Sequence, residues 1–121
     1  MDIRPSPIAG KWYSGNQKQL ASQIDLLIQQ TSLPVIQKKP IGLIVPHAGH
    51  IYSGEVAAVG YAAVKAEKPD LVILLSPSHQ HAMHPLLVSG HDAYATPLGN
   101  LVVDHAGVES ISAYLEALSG L

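Results

Sequence analysis

The sequence predicts an α/β fold, a three-layer α/β/α arrangement on a mostly parallel sheet, with its 121 residues forming one domain, 1–121. Three observations predict it. Two aliphatic runs, Ile41-Gly42-Leu43-Ile44-Val45 and Leu71-Val72-Ile73-Leu74-Leu75, are each stopped by a proline, Pro46 and Pro77. Such short, near-continuous apolar runs read as strands buried on both faces. Between them Val56, Val59 and Ala63 form a helical stripe, giving a βαβ crossover, right-handed in about 98% of cases. The apolar residues, 47% of the chain, are mainly aliphatic, with no Phe and a single Trp, which suits a buried parallel sheet under covering helices.

The elements follow in order. Asn16 is placed to N-cap a helix over Gln17–Gln30, with Leu20, Ile24, Leu27 and Ile28 on one face. Pro34 and Lys38-Lys39-Pro40 end it in a loop. The first aliphatic strand comes next, then a helix after Gly54 that closes by Pro69, then the second strand. Leu86-Leu87-Val88 and Leu101-Val102-Val103 read as short strands, and Val108, Ile111, Leu115 and Leu118 as a closing helix. Two or three helices are thin cover for both faces of a parallel sheet, so the sheet is expected to be incomplete.

Charge and composition narrow the partners. Only 13% of residues are charged, the net charge is −2, and Lys and Arg are not clustered. Neither nucleic acid nor a membrane is therefore expected as a partner. With no cysteine there are no disulfides and no thiolate metal ligands. The N-terminal segment has no signal-peptide core, and no stretch approaches the ~20 apolar residues that span a bilayer. A cytoplasmic, soluble protein is expected.

Histidine is in surplus, and its placement matters more than its number. Five of seven fall in two segments: His47 and His50 after the first strand, His79, His81 and His84 after the second. Ligand sites of open parallel sheets lie beyond the C-terminal strand ends. If the two strands are neighbours, about 4.8 Å apart, His47 and His79 come near one point. A neutral imidazole nitrogen suits iron, copper or zinc, and the other nitrogen can be oriented by a nearby acceptor. The plainer alternative for each histidine is a solvated loop residue, the better reading for His81 and His84, while His91 and His105 read as surface residues. No P-loop, GxGxxG or HEXXH motif is present. A triad from Ser53 or Ser78 with His47 and Asp104 lacks a nucleophile elbow.

Five motifs then fall in register. Ala9-Gly10-Lys11-Trp12-Tyr13, Val45-Pro46-His47-Ala48-Gly49, Tyr52-Ser53-Gly54, Pro77-Ser78-His79 and Thr96-Pro97-Leu98-Gly99 occur in the order and approximate spacing of the Memo family, also named AmmeMemoRadiSam system protein B. The chain resembles the N-terminal portion of that family from about Arg4 onward. The resemblance implies part of a fold similar to the catalytic subunit of class III extradiol dioxygenases, which are non-haem iron enzymes. It implies that His47 and His79 are pocket residues, catalytic and metal-binding, that Trp12 and Tyr52 line the same cleft, and that Ser78 sits at its lip. His50 stands where the family usually has Tyr, adding an imidazole at the mouth; Ser76 stands where it usually has Gly. The family's further ligand lies in sequence beyond residue 121.

Each of these residues has a plainer role too. Trp12 can pack over the first helix, Tyr52 can be a core residue with a wet hydroxyl, Thr96–Gly99 can be a turn, and Asp104 can cap the last helix. Two histidines fall short of the three protein ligands of catalytic zinc or the two histidines and one carboxylate of a facial triad. Asp92, Asp104 or Glu55 would have to substitute. The isolated chain is therefore expected to be inactive, its divalent transition metal held only when a third ligand is supplied. The alternative is a vestigial cleft that holds a peptide or small molecule. A third is a module that forms a homo-oligomer through its open sheet edge.

Overall fold

The computed structural model describes residues 1–79 and 87–119; the expectations for His81, His84 and Leu86 lie outside them. The described residues are α/β, with three helices and a three-stranded mixed sheet. They divide into two compact units, one made of Met1–Ser6 with Val72–Leu121 and the other of Pro7–Leu71.

The Pro7–Leu71 unit is built on two helices. Helix α1, Gln17–Gln29, begins where the sequence places it: the Asn16 side-chain oxygen accepts from the Gln19 backbone N–H at 3.0 Å, meeting one of the first turn's unpaired donors. Ser14 supports the cap by accepting from the Asn16 N–H at 3.1 Å and donating to the Gln19 side-chain oxygen at 3.1 Å. At the other end Thr31 donates its hydroxyl to the Leu27 carbonyl at 2.9 Å. Leu20 is buried, as its place on the apolar stripe requires.

Helix α2, His50–Val64, starts four residues before Gly54, so His50, Tyr52 and Ser53 lie in its first turns rather than in the loop before it. Its partner face is narrow. A methyl group added at Gly54 would sit 3.2 Å from Leu27 Cδ1 of α1, a tight contact that marks where the two helices approach closely. Ala58, one turn further, is buried.

The first aliphatic run departs from expectation. Residues 41–45 make no ladder with any described strand. They lie instead along α2: a Cβ at Gly60 would come 2.5 Å from Val45 Cγ1 and 3.8 Å from Leu43 Cδ1. Ile44 between them is 104% exposed. Leu43 and Val45, two residues apart, share one side of the run, but the cover does not extend along it: Ile41, on that same side, is 102% exposed and Leu43 37%. The second run, 71–75, also forms no ladder, and its five side chains are exposed. The physical reason is the same for both: a parallel strand needs a non-local neighbour on its edge, and hydrophobicity alone does not supply one.

The other unit holds the sheet, in the order β1 (Ile3–Arg4), β2 (Ala93–Thr96), β3 (Gly99–Val102). β1 and β2 are parallel, with Ile3 opposite Ala93; β2 and β3 are antiparallel, with Ala93 opposite Val102 and Thr96 opposite Gly99. Thr96–Gly99 is thus a structural turn. Thr96 Oγ1 donates to the Gly99 carbonyl at 2.7 Å and accepts from the Leu98 N–H at 3.1 Å. Gly99 has φ +132°, a conformation closed to other residues. Ala93, at the sheet centre, is wholly buried.

Helix α3, His105–Ser119, closes this unit, and Asp104 does lie over its start. The Asp104 carbonyl accepts from the Val108 N–H at 3.0 Å, and a Cβ at Gly107 would fall 2.5 Å from Asp104 Oδ2.

Candidate functional site

The histidine loop of the first run is built on a clasp. Residues 8–13 fold into a tight turn in which Lys11 and Trp12 N–H groups donate to the Ile8 carbonyl, at 3.0 and 2.9 Å, and Gly10 N–H donates to the Tyr13 carbonyl at 2.8 Å. The turn requires Gly10 at φ +78°. The Trp12 carbonyl then accepts from the His50 N–H at 2.9 Å, the first donor of α2. Gly49 has no side chain to cap the helix, so the main chain of Trp12 caps it from a distant segment. A Cβ at Gly49 would lie 3.2 Å from that same carbonyl.

His47 therefore leaves the aliphatic run two residues before a fixed point, in an exposed loop. The clasp reaches His50 as well. Its ring lies 5.5 Å from the Tyr13 ring at a tilt of 34°. Its Nδ1 and the hydroxyl oxygen of Ser53, one turn on, are both enclosed and have no hydrogen-bond partner among the described residues. Tyr52 is 81% exposed and Trp12 46% exposed. Neither packs as a core residue. Trp12, His50 and Tyr52 are thus brought to one helix start, with His47 in the loop leading to it.

Tyr13 is the residue that sequence reasoning missed. Its place beside Trp12 in the same motif was visible, but its stacking near His50 follows from the turn's hydrogen bonds and left no signal in residue type. The role of Trp12 also differs from expectation, because its backbone carbonyl makes the defining contact.

Ser78 and His79 belong to the other unit, where both are exposed. Of the residues weighed as substitute ligands, Asp92 and Asp104 have other partners. Glu55 lines a hollow of about 360 Å³ with Leu27, Gln30, Thr31, Ser32 and Val59. Asp104 starts α3. Asp92 accepts from the Asp2 N–H through Oδ2 at 2.6 Å and pairs through Oδ1 with His105 Nε2 at 3.0 Å. Those two contacts, the backbone one foremost, hold its carboxyl below the usual carboxylate range. His91 pairs with Asp2 Oδ2 at 2.8 Å, and it and His105 are half-exposed, as surface residues would be. Tyr94, beside them, has its hydroxyl pulled below the ordinary phenol range, first by a hydrogen bond with Ser89 and then by Arg4, whose guanidinium stands 5.5 Å from the ring centre. Among the described residues no three His, Asp or Glu side chains are gathered to hold a metal ion, and no helix is long and apolar enough to cross a membrane.

Comparison with known proteins decides what this loop and clasp belong to. The family model described as "Memo-like protein" matches residues 4–119. The chain belongs to the Memo family. A Memo relative from Thermotoga sp. (strain RQ2), a "MEMO1 family protein", is 39% identical over 118 residues, covering 89% of this chain and 43% of that protein. One from Pyrobaculum arsenaticum is 37% identical over 111 residues, with 86% and 40% covered. The "Protein memo-1 homolog" of Caenorhabditis elegans is 34% identical over 110 residues, with 91% and 31% covered. This Memo chain thus spans less than half the length of the curated relatives it matches.

Proposed function

We propose that the chain contributes His47 and His79 as two imidazole ligands to a divalent transition-metal pocket, for iron, copper or zinc, and that a donor outside this pair completes it. In the completed form the pocket would carry oxidoreductase chemistry on a small molecule; ring-opening dioxygenation is the reading by fold analogy. The observation that carries the proposal is membership of the Memo family together with intact Pro-His-Ala-Gly and Pro-Ser-His motifs at residues 46–49 and 77–79. The clasp supports it, because a ligand must be held within a fraction of an ångström and the loop of His47 ends at a fixed point.

The described residues do not make a whole metal site. Two imidazoles fall one donor short of a catalytic zinc or facial-triad iron site, and Asp92 and Asp104 are engaged elsewhere as described above. The isolated chain is proposed to be inactive. Elemental analysis beside light scattering tests this on the chain and on a fusion of it to the unmatched remainder of the Thermotoga relative. The fusion should hold about one metal ion per chain, and His47→Ala or His79→Ala should each weaken it at least ~10-fold. Metal affinity unchanged in both variants would sink the proposal.

A second reading is favoured by the open aromatic rings of Trp12 and Tyr52: a cleft that binds a peptide or small molecule without catalysis. Binding that ignores chelator but is lost in Trp12→Ala would select it.

A further inference from the structure

We infer that the hollow between α1 and α2 binds an organic cation, a primary ammonium carried on a short aliphatic stem. The inference is independent of the metal reading above, since neither His47 nor His79 lines this hollow. Its volume of about 360 Å³ lies within the roughly 300–1,000 Å³ of small-ligand sites. The lining residues divide by chemistry: Leu27 and Val59 give apolar walls, and Gln30, Thr31, Ser32 and Glu55 give polar ones. None of them is basic, and Glu55 makes no ion pair among the described residues.

The sign of the charge follows from the helix end. Gln30 closes α1 and lines the hollow. The Leu26, Leu27 and Ile28 carbonyls are met by the Gln30 N–H and by the Thr31 hydroxyl and N–H. Those of Gln29 and Gln30 accept from no donor among the described residues, and the last turn of α1 carries no basic residue. The Glu55 carboxylate and the negative end of the helix therefore act together, and both favour a cation. Chemistry then selects which one. Calcium takes about six to eight oxygens, more than one carboxylate between two aliphatic walls supplies. A guanidinium calls for a planar, bidentate partner. An ammonium has three donors on one nitrogen, answered in kind by the Glu55 carboxylate, the Gln30 carbonyl and the Ser32 hydroxyl, while Leu27 and Val59 cover its methylenes.

Titration of the chain with n-butylammonium, followed through its backbone amide resonances, tests this. The Thr31, Ser32 and Glu55 amides should shift and saturate at millimolar probe, and n-butanol, the same stem without the charge, should move them far less. Glu55→Gln should weaken binding ~5-fold or more; Asp25→Asn, an exposed carboxylate of α1 outside the hollow, should leave it unchanged. Because Glu55 is exposed, its substitution should leave the circular dichroism spectrum intact. Two further probes name the source of the ammonium: Nα-acetyl-lysine amide binding more tightly than cadaverine assigns it to a protein's lysine side chain, and the reverse order to a free amine. Either order supports the inference. Unmoved amides with every probe, or equal affinity in the chain and its Glu55→Gln variant, overturn it.

Discussion

Two stretches of this molecule have comparable claim to be strands, and only one becomes a ladder. The hairpin of Ala93–Thr96 and Gly99–Val102 has short segments, yet it pairs in register over four residues. The run at 41–45 is more apolar, and it pairs with nothing among the described residues. The difference is the distance to a partner. The hairpin closes over two residues, Pro97 and Leu98, at a small entropic cost, whereas a parallel strand needs a crossover and a neighbour from elsewhere. Hydrophobicity makes a segment want cover; proximity of a complementary edge makes it a strand.

The comparison can be broken at α2, on which Leu43 and Val45 lie, and at α1, which packs against α2. Leu20→Ala removes the buried side chain of α1 and should cost about 2–5 kcal/mol in urea unfolding followed by far-UV circular dichroism. A loss below 0.5 kcal/mol would mean that α1 is not anchored through this residue. Gly60→Ala should cost less, about 1–3 kcal/mol, because its methyl meets Val45 and overpacking outweighs the gain in helix propensity. Val45→Ala in the same chain should restore part of that loss. Additive effects of the two substitutions would show that the run does not lie on α2.

The smallest effect belongs to the sheet. The Asp92 carboxyl is held below its ordinary range near 3.9 by the Asp2 N–H and by His105. A depressed folded value means its contribution is present above pH ~4 and disappears as pH falls through the lower, folded value. The Ile3–Arg4 strand should therefore loosen in acid below pH ~4, read as shifts of the Asp2 and Ala93 amide resonances. Asp92→Ala should abolish that step. An acid transition unchanged by the substitution would assign it to another carboxylate.

Local grammar was legible in the sequence. The Asn16 cap, the stripe of α1, the closing helix and the Thr96–Gly99 turn are set by neighbours within four residues, so spacing sufficed. The fate of 41–45 and 71–75 was not, because it depends on partners far along the chain. The start of α2 was misread for a related reason: Gly49 carries no capping side chain, and the group that caps the helix, the Trp12 carbonyl, lies 38 positions from His50 in the sequence. In the site, motif histidines and aromatics could be named from residue types. Their support by Tyr13 and by a backbone carbonyl left no composition signal.

The close approach of Gly49 to the Trp12 carbonyl, which a Cβ would crowd at 3.2 Å, has a consequence for protein engineering. In a randomised library spanning 48–50, glycine at the middle position should be recovered under a screen for folding alone, with no metal or ligand present. Its recovery would report carpentry rather than chemistry, and the same motif letter would persist in variants whose histidines had been erased.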